Sequence, residues 1–390
     1  MAIGDISPQL RERRPQLNSL TSLRVVGMVL VFIVHGSFEI VFKSYDLGLA
    51  YLEGVGTSGQ TAVSYFFVLS GFVLAWSWRE KDTARTFWRR RAVRIFPNHV
   101  VALAFTVVLA AFLTQLPDLF PLFTQLILVQ SWFPSPRFTD VGNSATWSLS
   151  VDIGFYALFP LLLPLIRRIR PERLWYAVGG VAVVIALIPV AANLFLPDTP
   201  PTPLWHTSES RYWFVYFFPA ARMLECVLGM LMARIVITGR WTGLRPLPAA
   251  ALLVVMYTIA QQLPFLYRYA AVIAVPVALL LASLAVADIA GRRTYLTGRT
   301  MVRLGELTFA FYLIHGPVLN YGHLMLGYTM DGGMPKGKAW GAAGGLAFLA
   351  GAFLVSLALA WVMNVCIERP AVRHWARRRT PKTAPVQVSA

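Results

Sequence analysis

The sequence predicts an all-α membrane protein, a polytopic bundle of about ten transmembrane helices with one short re-entrant or interfacial helix. Three observations predict it. Of the 390 residues, 57% are hydrophobic and only 14% are charged, where a soluble domain carries about 25% charged residues. Apolar runs of the length a bilayer demands, about 17–25 residues, recur from end to end, and the mean hydropathy is +0.59. The arginines fall in short segments between those runs, as the positive-inside rule requires. That pattern accounts for the formal net charge of +17 without nucleic acid as a partner. Cys226 and Cys366 both sit in apolar runs and offer no disulfide framework or metal spacing.

Taken in order, the spans are expected at 21–42, 61–78, 97–115, 146–166, 174–195, 212–236, 247–263, 266–288, 301–326 and 341–366. The first is too long for a secretory leader, and no small-residue cleavage site follows it. An eleventh run, 119–133, is shorter and bracketed by prolines. Charge parity decides its fate. If it does not cross, the basic segments at 79–94, 167–173, Arg240–Arg245, 292–303 and Arg377–Arg379 share one side with Arg11, Arg13 and Arg14. If it crosses, every later basic loop lands outside. The expectation is therefore a bacterial cytoplasmic-membrane protein with both termini cytoplasmic. A tail (1–18) precedes one transmembrane domain (19–375), and a basic tail (376–390) follows it. The outward loops are then 43–60, 116–145, 196–211 and 327–340.

Ionisable residues inside such runs mark functional sites. In the first span Arg24 and His35 are separated by ten residues. On a helix, eleven steps of about 100° return both side chains to one face, roughly 16 Å apart along the axis. His35 is either hydrogen-bonded to a neighbouring helix or a general base, for which imidazole suits neutral pH. Arg91 and Arg94, three apart just before the third span, suit bidentate phosphate binding and so a phosphate-bearing cytosolic donor. The alternative is a plain basic loop, which is the reading for Arg89 and Arg90. Ser70-Gly71 is a small pair expected to pack helices closely. Asp152 lies a few residues into a span, in Trp147-Ser148-Leu149-Ser150-Val151-Asp152; it either orients His35 or joins a structural ion pair. Arg222 and Glu225, three apart, form a second candidate pair. His315, one turn after Tyr312, either lines the cavity or caps packing. His99, His206, His323 and His374 join no constellation. No zinc-type spacing, nucleotide-binding glycine loop or GxSxG elbow occurs.

In this order, the segments resemble the acyltransferase-3 family of integral-membrane acyltransferases, which includes bacterial sugar and lipopolysaccharide O-acetyltransferases and macrolide O-acyltransferases. The resemblance runs from about residue 18 to 375. It rests on Arg24 and His35, on Phe66–Gly71, on Arg91, Arg94 and Pro97, on Trp147–Asp152, and on Tyr312–His315. Two departures stand out. Asp152-Ile153 replaces the family's Glu, often doubled, and Asn98-His99 follows Pro97 where aromatics are common. No esterase-like domain follows the last span.

The resemblance implies transfer of an acyl group, in the usual case acetyl, from acyl-CoA to a hydroxyl of a sugar-containing or secondary-metabolite acceptor. CoA is then a co-substrate, and no cofactor or metal is bound. CoA phosphates are expected at Arg91 and Arg94, with Arg24 nearby, and the pantetheine arm reaches toward His35. Asp152 is expected to assist catalysis. Ser70, Trp147, Ser150, Tyr156, Tyr312 and His315 are candidates to line the cavity. The acceptor stays open between a surface glycan and a small metabolite. The rival class is a transporter or flippase with ionisable residues near the midplane.

Overall fold

The computed structural model describes residues 14–79, 82–202, 207–292, 295–331 and 334–376. Most of both expected tails, and His206, lie outside the described residues. Twelve helices of eight residues or more are described. They are α1 (Asn18–Phe38), α2 (Tyr45–Val55), α3 (Ser58–Ser77), α4 (Ala84–Leu113), α5 (Leu119–Leu126) and α6 (Trp147–Arg168), followed by α7 (Leu174–Phe195), α8 (Pro219–Ile237), α9 (Pro246–Gln261), α10 (Ala270–Ile289), α11 (Arg299–Met325) and α12 (Ala342–Met363). One antiparallel hairpin, β1 (Tyr328–Asp331) with β2 (Met334–Gly337), joins α11 to α12.

Each of the ten expected runs is helical. Seven segments are long and apolar enough to cross a membrane, carried by α1, α3, α4, α6, α7, α10 and α12. Of the others, α9 has 16 residues, and α8 and α11 are interrupted by ionisable side chains. The run at 119–133 does not form a span. It gives the eight-residue α5 and a 3-10 turn at Gln130–Trp132, about 12 Å of helix at 1.5 Å per residue. Large apolar side chains remain exposed on α4, α7, α9 and α12, among them Phe112, Leu161, Leu187, Leu194, Val254 and Leu354. A surface of this kind is matched by lipid rather than water.

Two elements depart from their expected limits. α1 begins at Asn18 and ends at Phe38, because Ile40 takes φ 52°, a left-handed conformation that stops a helix. His35 therefore sits in the last turn of α1 rather than near its middle. α4 starts at Ala84, capped by Thr83 Oγ1, which accepts from the Thr86 amide. The basic segment that holds Arg91 and Arg94 is thus the first half of a 30-residue helix.

Glycines set the closest contacts. A Cβ at Gly71 of α3 would lie 1.8 Å from the Cys226 carbonyl oxygen of α8, and one at Gly229 of α8 would lie 1.9 Å from the Val68 carbonyl oxygen of α3. The small residue at 71 thus packs two helices backbone to backbone, as expected. The same interface buries the Arg222–Glu225 ion pair (3.2 Å), with Arg222 Nη2 also donating to Ser64 Oγ at 3.2 Å. At the start of α1, the Ser19 amide and hydroxyl donate to the Asp288 carboxylate of α10 at 2.8 and 2.6 Å.

Candidate active site

The helix directions place two chambers at opposite ends of the bundle. At the end where α1 finishes and α3 and α6 begin lies a cavity of about 420 Å³, within the roughly 300–1,000 Å³ of small-molecule sites. His35, Gln60, Trp147, Ser148, Tyr216 and Tyr312 are among its walls. At the other end, the first half of α4 meets the start of α11 and the turns after α12. There a second chamber of about 550 Å³ is lined by Arg90, Arg91, Arg94, Arg369 and Arg373, against Glu306 and Glu368.

His35 gains its partner from α11. His35 Nδ1 lies 2.7 Å from His315 Nε2, the two rings nearly parallel at 4.9 Å. His315 is fully buried. Its Nδ1 faces the Tyr312 carbonyl at 2.8 Å and the Phe311 carbonyl at 3.2 Å. A carbonyl only accepts, so His315 Nδ1 carries the hydrogen. With both rings neutral, His315 Nε2 is then an acceptor and His35 Nδ1 the donor to it. That leaves His35 Nε2 as the unprotonated nitrogen of the residue that lines the cavity.

The backbone around His315 is held from outside its helix. Pro317 has no N–H to offer the Leu313 carbonyl one turn earlier. Asn143 supplies the missing donor: its Nδ2 donates to Leu313 O at 2.6 Å. Asn143 is in turn fixed by buried Gln125, whose Nε2 donates to the carbonyls of Val141 and Asn143 and whose Oε1 accepts from the Asn143 amide. Tyr312 Oη donates to the Ala145 carbonyl and lies 2.8 Å from Ser148 Oγ. The segment after α5 therefore acts as a polar scaffold for the histidine pair.

The expected partnership of Asp152 with His35 is not what the fold produces. Asp152 faces Ser70 and Tyr156, within electrostatic range of Arg91 and Arg24, while His35 faces His315. The reason is helical phase: the α6 residue turned to the cavity beside Trp147 is Ser148. Ser150, two residues on, is fully buried away from that wall, its Oγ without a partner. Arg24 ranges near Arg94, Tyr65, Tyr156 and Asp152. Ser70, Asp152, Tyr156 and Arg24 thus form one polar cluster beside the basic chamber. Trp147, Tyr312 and His35 belong to the other chamber, with His315 directly behind.

In the basic chamber, Glu368 ties α4 to the chain beyond α12. Arg94 Nε lies 3.5 Å from Glu368 Oε1, and Asn98 and Asn364 both donate to Glu368 Oε2, at 3.2 and 3.3 Å. This explains Asn98 after Pro97. His99 Nε2 donates to the Gln125 carbonyl at 3.0 Å. Arg91 stacks over the Phe87 and Tyr156 rings. Sequence reasoning named Arg91 and Arg94 but missed Arg369 and Arg373, whose i,i+4 spacing becomes legible once the helix is followed past Glu368. No group of three metal-ligating side chains occurs among the described residues.

A family model described as an acyltransferase domain matches residues 17–365. The chain is 39% identical over 377 residues to "Acyltransferase MdmB" of Streptomyces mycarofaciens, an alignment that covers 95% of each protein. It is 22% identical over 354 residues to "O-acetyltransferase OatA" of Staphylococcus aureus, which covers 82% of this chain and 52% of that protein. A 143-residue match at 28% identity to "Nodulation protein 10" of Rhizobium leguminosarum bv. viciae covers 32% of the chain and 37% of that protein. No solved structure matches. With a family match over nearly its whole length and a relative aligned end to end, the chain belongs to the acyltransferase-3 family of integral-membrane acyltransferases.

Proposed function

We propose that the chain transfers an acyl group, acetyl in the simplest case, from acyl-CoA to a hydroxyl of a sugar-containing or secondary-metabolite acceptor. It does so in a bacterial cytoplasmic membrane with both termini cytoplasmic. The observation that carries this reading is the His35–His315 pair, which leaves one imidazole nitrogen of a cavity-lining residue free to accept a proton. A relative named as an O-acetyltransferase supports a hydroxyl as the acceptor.

CoA phosphates dock in the basic chamber, on Arg91 and Arg94 together with Arg369 and Arg373. Guanidinium groups pair with phosphate through two parallel hydrogen bonds, which a single ammonium does not. Arg24 stands between that chamber and the helix that carries His35. The acyl-pantetheine arm follows α1, whose rise of about 1.5 Å per residue separates Arg24 from His35 by roughly 16 Å. The acceptor occupies the outer cavity. Its hydroxyl oxygen attacks the thioester carbonyl carbon while His35 Nε2 takes the hydroxyl proton. The C–S bond then breaks, and the CoA thiolate recovers the proton from the imidazolium. His315 holds His35 in the tautomer that makes the first step possible. Asp152 sits with Arg24, Arg91, Ser70 and Tyr156 and acts on the donor's side, as the counter-charge to that arginine cluster.

The test is acceptor-dependent release of CoA from labelled acetyl-CoA by membranes that contain the chain. Movement of a solute without consumption of CoA would instead support a transporter.

A further inference from the structure

Proton abstraction accounts for His35 but not for the rest of the outer cavity's polar wall. Asp140 and Glu209 both line it, the first from the loop before α6 and the second from the helical turn Glu209–Tyr212. They lie within electrostatic range of each other. Asp140 Oδ1 accepts one hydrogen bond, from Thr139 Oγ1 at 3.1 Å. Among the described residues no lysine or arginine lines this cavity, and no described ion pair involves either carboxylate. In a chain of net charge +17, a chamber whose carboxylates lack a resident cation is unusual.

Two further groups point the same way. Gln60 lines the cavity, is only 5% exposed, and its Oε1 has no hydrogen-bond partner. A buried acceptor without a donor is costly unless a ligand supplies one. The facing wall is aromatic, with Tyr212 and Tyr216 stacked at 5.3 Å and Trp147 against Tyr216 at 4.7 Å. Ring faces attract cations. Carboxylates, an unpaired amide oxygen and an aromatic wall all ask for a positively charged hydrogen-bond donor.

We infer that the acceptor is an amphiphilic alcohol that carries a protonated amine, held by Asp140 and Glu209 while its hydroxyl reaches His35. This rests on the acyl-transfer reading and narrows the acceptor within it. A neutral polysaccharide does not use these groups.

The experiment compares an isosteric pair of alcohols, 4-(dimethylaminomethyl)benzyl alcohol and 4-isobutylbenzyl alcohol, which differ by a protonated nitrogen in place of a C–H. Binding to the full chain in lipid nanodiscs is read from the fluorescence of the cavity tryptophans Trp147 and Trp213. The amine is expected to bind about tenfold more tightly, the scale of one well-placed charge pair. The double variant D140N/E209Q should bring the two compounds to equal affinity and leave the neutral alcohol's binding as in the wild type, which also shows that the variant is folded. Equal affinities in the wild type, or a preference for the amine that survives the double variant, would overturn the inference. Binding is read without turnover. A negative result here therefore leaves acyl transfer standing, and absence of CoA release would leave a positive binding result standing.

Discussion

Replacement of His315 by alanine isolates the role assigned to the histidine pair. The variant removes the atom that faces His35 Nδ1 at 2.7 Å, and with it a ring stacked on Phe311 at 5.6 Å. The His35 N–H loses its acceptor, and an unpaired buried donor costs about 1–3 kcal/mol. His35 also becomes free to carry its proton on Nε2, where it cannot act as a base. Equal population of the two tautomers would by itself lower the rate only about twofold. The larger effect is lost orientation of the imidazole and lost stabilisation of the imidazolium. Together these predict a fall in kcat of about 10²–10³-fold, or ~2.7–4 kcal/mol at about 1.36 kcal/mol per tenfold. KM for acyl-CoA should stay within about twofold, because the arginines lie at the other end of the bundle. His315→Gln offers an amide oxygen to His35 Nδ1 and should recover about tenfold of the loss. The assay is steady-state CoA release by the purified full chain in nanodiscs. Turnover of His315→Ala within about threefold of wild type, or a loss confined to the donor KM, would refute the reasoning.

Arg369→Ala and Arg373→Ala should each raise the acyl-CoA KM about tenfold with kcat retained, since a hydrogen bond to a charged group contributes about 1.5–3 kcal/mol; unchanged KM values would remove them from the donor site. Gly229→Val forces side-chain atoms onto the Val68 carbonyl and should abolish a monodisperse, folded protein on size exclusion, whereas Gly180→Ala, with nothing within 4 Å of its Cβ, should be neutral. Burial pushes the Asp140 carboxyl above its ordinary value of 3.8, and nearby Glu209 adds to this against a hydrogen bond from Thr139. The carboxylate binds the amine only when ionised, so KM for an amine-bearing acceptor should rise as pH falls through that raised range. Asp140→Asn should flatten this profile.

The sequence carries the helices because a bilayer demands long apolar runs, and α7 falls at 174–195 as read from composition alone. Charge parity likewise kept 119–133 from being read as a span. Local spacing also revealed Arg91 and Arg94, since residues three apart share a helix face, and the Gly71 contact, since a small residue admits a backbone. What the sequence withheld are relations between distant helices. Asp152 and His315 both looked able to serve His35, and only the packing of α11 on α1 decides for His315. Ser148 and Ser150 differ by about 200° of helical phase, so the choice depends on how α6 is rotated in the bundle. Asn143, Asp140 and Glu209 lie in loops and short turns, where no period marks a functional face. The end of α1 moved because a left-handed residue at Ile40 is a tertiary outcome, unmarked by glycine or proline.

The central claim is that His35 Nε2 is the base. Its most direct test is CoA release by purified His35→Ala, measured with labelled acetyl-CoA and an acceptor that supports wild-type turnover. The account predicts a loss of about 10³-fold or more in kcat, the scale of a removed general base with its positioning, while acetyl-CoA still binds at the arginine chamber. Wild-type turnover by His35→Ala would contradict it.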